Sequence, residues 1–345
     1  MTNRDTNADI IRIFALFMVF FVHIFYNNGF YALPIDNTVM YVGTFFRQFF
    51  LICVPLFMLL TGYLQGNKEI EFNKKYVFKL NKVLVPYLII TILTVIFHRY
   101  TGINSKTAFL DLLFAYYDNG YTWYIEMYIG LYLLIPFFNQ LFISLNKKKR
   151  EGLIVVLSTL TFIPSLFFVF DIPFINCWTM LYPISYYFIG AYIKLHGLNI
   201  KRSLRWILLI TSCIYNGILA TTLFQNSLFS SFNDSNGFFT AVNSVLIFSL
   251  LLEIKTDRFK LGTKKLLANL SNIVVPTYMF SYISDNIIYQ QIVIKHFPNF
   301  VDRMYLAIPF ALLSGVIAFC GGWVTSIVSN VIIKTLEGLL AKIKK

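Results

Sequence analysis

Apolar runs of about 20 residues recur ten times along this chain, near 8–27, 40–64, 77–98, 121–143, 152–170, 176–195, 206–224, 237–253, 266–288 and 305–326. At 1.5 Å of rise per residue, about 20 residues are what a helix needs to cross the hydrocarbon core of a bilayer. Backbone N–H and C=O groups in lipid must be satisfied within the segment, so such runs cross as helices. The expectation is an all-α polytopic membrane protein, with about ten transmembrane helices in one bundle. Composition agrees, at 57% hydrophobic and only 13% charged residues, far from a soluble globular chain. The first run is too long, and too polar at its end, for a cleavable signal peptide, and is read as a membrane helix.

The net charge of +13 sits in short clusters between the runs, a pattern of topology signals and not of a nucleic-acid patch. One set of linkers is basic: Lys68, Lys74 and Lys75; Lys147 to Arg150; Lys194 to Arg205; Lys255 to Lys265; and the C-terminus. The alternate linkers carry few cations or none. An even number of spans with both termini cytoplasmic places every basic linker on the inner side. No linker is long enough for a second folded domain, so residues 1–326 are expected to form one transmembrane domain. Residues 327–345 repeat apolar side chains at Ile332, Leu336, Leu339, Leu340 and Ile343 and end basic, as a cytoplasmic amphipathic tail attracted to anionic lipid would. The stretch 106–120 has helical period but is too short to cross, and is expected to lie in the interface. Cys53, Cys177, Cys213 and Cys320 fall inside apolar runs without metal-ligand spacing and are expected to be small buried hydrophobes. Phosphate-loop, dinucleotide and HExxH motifs are absent from the sequence, and no metal site is expected.

Polar groups inside the runs carry the functional signal, because each is costly there unless it faces a bundle interior or a watered cavity. Arg12 and His23 are eleven residues apart in the first run. A helix brings both to one face, about 16 Å apart along its axis. Either they line one internal passage, or they rest at opposite interfaces. Arg47 falls in the outer half of the second run, whose inner end CVPLFMLLTGYL pairs Pro55 with Thr61 and Gly62. Pro55 frees a carbonyl, and Thr61-Gly62 offers a hydroxyl and a point of close approach. Lys79 and Lys82 stand on one face at the entrance of the third run, as a basic mouth or as ordinary anchors. A bend is expected at Lys82–Pro86. Glu126 and Asp285 compete as carboxylates at the depth of His23, where one could hold the imidazole tautomer; the alternative for each is a water-exposed carboxylate. His98, His196 and His296 fall at span ends or in loops.

These landmarks together resemble the integral-membrane acyltransferase 3 family. The likeness runs through Asp9, Arg12 and His23; Val54-Pro55-Leu56-Phe57 to Thr61-Gly62-Tyr63-Leu64; and Lys79, Lys82 and Pro86-Tyr87. It continues through Trp123-Tyr124, Gly130-Leu131-Tyr132-Leu133 and Pro136 to Tyr187-Phe188-Ile189-Gly190-Ala191-Tyr192. It covers most of the first two hundred residues in order. Thr61 stands where the family usually has Ser, and Lys79 and Lys82 where it usually has arginines. Tyr278-Met279-Phe280-Ser281 lacks the histidine the family often shows near its end.

The resemblance implies transfer of an acyl group, commonly acetyl from cytoplasmic acetyl-CoA, to a hydroxyl of a cell-envelope carbohydrate in a bacterial plasma membrane. Under it, Arg12, Lys79 and Lys82 would hold the donor phosphates. His23, taken as the one imidazole in a buried span, would be the general base. Arg47 would stabilise the oxyanion, and Glu126 would support His23. The competing expectation is a flippase or exporter of an envelope polysaccharide or lipid-linked glycan, which ten spans and a polar passage would also suit.

Overall fold

The computed structural model describes residues 4–102, 121, 123–169, 176–223 and 234–343. Every regular element among them is helical. In chain order the principal helices are α1 (Thr6–Asn27), α2 (Thr38–Phe50), α3 (Cys53–Gln65), α4 (Lys74–Phe78), α5 (Asn81–Thr101), α6 (Trp123–Ser144), α7 (Lys147–Thr161), α8 (Tyr182–His196), α9 (Arg202–Leu223), α10 (Phe238–Leu252), α11 (Leu261–Asn272), α12 (Val274–Asp285) and α13 (Ala307–Ile343). Seven segments are long and apolar enough to cross a membrane, or eight if α11 and α12 with its extension are one interrupted span. These match eight of the ten expected runs. The other two, 176–195 and 237–253, correspond to α8 and α10, each only 15 residues against the ~20 of a full crossing. The interfacial segment expected at 106–120 lies outside the described residues apart from its neighbour Tyr121. The basic tail continues α13 without a break as far as Ile343.

Prolines place the interruptions. Pro55 is the third residue of α3, where no intrahelical N–H is needed. The chain turns at Leu51–Ile52 between α2 and α3, just where Pro55 leaves the Leu51 carbonyl without its helical donor. Pro276 sits likewise in the first turn of α12, after the break at Ile273. The bend expected at Lys82–Pro86 falls a turn earlier. α5 is continuous through Pro86, and tight i→i−3 bonds at Lys79, Leu80, Lys82 and Val83 take up the change of path.

The chain divides into two compact units: residues 1–70, 134–271 and 297–308, and residues 71–133, 272–296 and 309–345. In the first unit α3 is central, packed on α8, α1 and α10. The α3–α8 seam is a double glycine contact. A Cβ on Gly62 would lie 1.9 Å from the Tyr187 carbonyl oxygen, and one on Gly190 would lie 2.0 Å from that of Leu59. Polar bonds lock its end: Asn67 donates to the Ala191 carbonyl, and Asn139 donates to those of Gln65 and Lys68 while accepting from Tyr187.

In the second unit α5 packs on α12. Gly321 and Gly322 of α13 admit Phe280 and Thr277 of α12. Tyr76 and Tyr132 stack with centroids 4.5 Å apart, each hydroxyl donating to the other residue's carbonyl.

The four thiols are free. Only Cys53 is buried; Cys177 and Cys320 are exposed and Cys213 is half-buried, which corrects the expectation of four buried cysteines. An apolar run does not fix which face of its helix turns to the core, and in a bilayer an exposed face meets lipid.

Candidate functional site

α1 starts on Asp5, whose side chain accepts from the N–H groups of Asn7 and Ala8. Asn7 reaches across to the end of α10 and donates to the carbonyls of Leu251, Leu252 and Ile254. This clamp aims the first turn of α1, where Asp9 is 1% exposed. Arg4 grips Asp9 with two bonds of 2.7 Å. Arg12 donates to the same carboxylate at 3.3 Å and to the Ser271 hydroxyl at 3.1 Å. One buried carboxylate thus orients two guanidinium groups. The hydrogen bond to Asp9 raises the Arg4 pKa further. The Arg12 side chain keeps about a third of its surface exposed, so it can still meet an anion.

α1 runs unbroken from Arg12 to His23, so the common face expected of the pair is realised along the helix. His23 is half-buried. The carbonyl of His23 accepts from the Asn27 side chain, and that of Ile24 from Asn28. Gly29 follows at φ 75°, the left-handed turn that lets the helix stop. Phe30, fully buried, then packs against α2 where Gly43 leaves room. The next residue, Tyr31, lands on Arg47: its hydroxyl accepts at 3.0 Å, and the guanidinium lies 5.3 Å from the ring centroid. Arg47 is 5% exposed.

α2, α9 and α10 pack on one another and bring further polar groups into the first unit. Asn216 is 1% exposed and Asn243 fully buried, and neither amide has a hydrogen-bond partner among the described residues. A buried amide left so costs ~1–3 kcal/mol, the kind of debt that marks a binding surface. Nothing in the sequence scan singled these two out. The signal was there in Asn within apolar helical runs, weaker to the eye than a charge.

In the second unit Lys79 and Lys82 are exposed at the α4–α5 turn. A cavity of about 610 Å³ beside this turn is lined by Phe72, Lys74, Val77, Asn81 and Leu84 among others. Lys74, Lys75, Lys79 and Lys82 put four lysines within nine residues at this end of the unit. Glu126 is exposed on α6, whereas its competitor Asp285 is 2% exposed. Asp285 accepts from Tyr121 at 2.8 Å and from Ser314, and a π-helical stretch, Asn286–Val293, follows it directly. His98 corrects the reading of His23 as the one imidazole in a buried span. α5 extends to Thr101, three residues past the expected end, so His98 sits in its last turn. It is 1% exposed, with Nε2 3.0 Å from the Tyr282 hydroxyl. Thus Arg12, His23 and Arg47 belong to the first unit, and Lys79, Lys82 and Glu126 to the second.

Among the described residues no group of three or more His, Cys, Asp and Glu side chains could hold a metal ion. Long apolar helices and charged groups held within them define a polytopic membrane protein with built polar sites. The acyltransferase-domain family model matches residues 5–327, and the chain belongs to that family, the integral-membrane acyltransferase 3 family. No curated protein and no solved structure matches it.

Proposed function

We propose that this membrane acyltransferase moves a short acyl group, acetyl in the simplest case, from cytoplasmic acyl-CoA to a hydroxyl of a cell-envelope carbohydrate. The observation that carries the reading is the family match over residues 5–327, in a chain whose first helix holds Arg12 and His23 on one face. The chain crosses a bacterial plasma membrane ten times with both termini inside, the short α8 and α10 included. This puts the basic linkers on the donor side.

Arg12 is the donor-phosphate cation of the first unit, and Lys79 and Lys82 are those of the second. The arginine pair held on Asp9 and the lysine-flanked cavity at the α4–α5 turn support those roles. His23 accepts the proton of the acceptor hydroxyl as its oxygen attacks the thioester carbonyl. Arg47 stabilises the oxyanion, the C–S bond then breaks, and CoA leaves as the thiol with the proton His23 returns. The buried amides of Asn216 and Asn243 suit a hydroxyl-rich acceptor.

Purified protein given acetyl-CoA and envelope glycan should release CoA thiol and yield an esterified glycan by mass spectrometry. A His23→Ala variant should insert and fold yet lose at least about a hundredfold in rate. Full activity in that variant would remove His23 as the base. Glycan crossing the membrane with no thiol released would replace transfer by export.

A further inference from the structure

A groove of about 670 Å³ opens on the side of the first unit between α7, α8, α9 and α10. Its existence follows from residue size. Ser158 and Thr159 of α7 and Thr211 and Ser212 of α9 put four small side chains at its middle, while Phe162, Tyr215 and other bulky residues form its walls. The lining runs along α7 from Ile154 and continues past its end to Phe162 and Ile163. The volume lies within the ~300–1,000 Å³ range of small-molecule sites. Among the described residues no charged side chain lines it.

Two of the bounding helices, α7 and α9, rise from basic linkers. Lys147 and Lys148 precede the lining residues Ile154 and Val155 by seven positions, two turns down the same face of α7. Lys201 follows Ile200, itself a lining residue. Glu151 is the acid on that face, 4.0 Å from Lys147 and bonded to Tyr192, so the lysines leave a net positive charge. Arg202 at the same end lies 3.8 Å from Glu253.

An apolar trough with lysines on the chain beyond one end matches an amphiphile with a hydrocarbon chain and an anionic head. We infer that the groove holds one chain of an anionic glycerophospholipid from the surrounding bilayer, with its phosphate at Lys147, Lys148 and Lys201. The charge pattern selects this occupant, since a neutral lipid makes no use of the lysines. The site is independent of the acyl-transfer reading, and activity is not its readout.

The test is native mass spectrometry of the full chain released from micelles containing equimolar phosphatidylglycerol and phosphatidylcholine. Wild type should retain one phosphatidylglycerol in clear preference to phosphatidylcholine. Lys147→Gln, Lys148→Gln and Lys201→Gln should each cut that preference about fivefold, the effect of one cation near an anionic head. Ser158→Phe fills the middle of the groove and should abolish retention of the lipid. Should it fail to fold, Val155→Trp at the exposed rim blocks the same space with little core disturbance. Equal retention of the two lipids by wild type, or unchanged retention in a folded groove-filled variant, would overturn the assignment.

Discussion

Asp9 shows how a single side chain organises its surroundings. It is buried, yet both its oxygens are used by arginines, so its charge is matched within the first turns of α1. Asp9→Asn should weaken both contacts and let Arg12 drift from Ser271. The expected outcome is a KM for the acyl donor raised about tenfold with kcat less affected, read from steady-state thiol release. Asn243 predicts the opposite sign for stability. Replacing its unpartnered amide by leucine should raise the thermal midpoint, by the ~1–3 kcal/mol no longer lost to desolvation, while raising KM for the glycan. His98 supplies the competing assignment at this scale. His98→Phe should keep acyl transfer within a few-fold of wild type, and loss of activity in a folded His98→Phe protein would move the base from α1 to α5. The sequence made the charged groups legible because a charge in an apolar run stands out. It could not show that His98 folds inward, since one residue at a span end is inside or outside according to where the helix stops.

At the level of elements, prolines and glycines were the readable signals and register was not. Pro55 pointed to a freed carbonyl and Gly62 to a close approach, while the break between α2 and α3 inside the single expected run 40–64 did not show. That the approach is to α8, and is answered by Gly190, needed the folded chain. Gly62→Ala should force α3 and α8 apart against backbone atoms and destabilise by at least ~2 kcal/mol, seen as a lower thermal midpoint. Gly152→Ala, with open space around its Cβ, should be neutral or stabilise by up to ~1 kcal/mol. Equal effects of the two changes would discount the seam. Run length was less informative than run position. The segments behind α8 and α10 read as full spans in hydropathy, but their helices are held to 15 residues by Pro183 at one start and by the turn at Gly237 at the other.

For the molecule as a whole, alternation of charged linkers carries the topology. Cysteines introduced at Lys148, in a chain otherwise free of reactive thiols, should be labelled by a membrane-impermeant maleimide only after the membrane is opened. Those introduced at Asp36 should be labelled in intact cells. The reverse pattern would invert the protein and move the donor side with it. The exposed Cys177 and Cys320 and the half-buried Cys213 have to be replaced first. Through the double glycine contact, α3 and α8 touch backbone to backbone, with no side chain between them to change rotamer. Two rods joined in this way have little freedom to slide or rock. Any opening that admits a substrate must therefore be made by other helices, and the α3–α8 pair is the fixed post against which they swing.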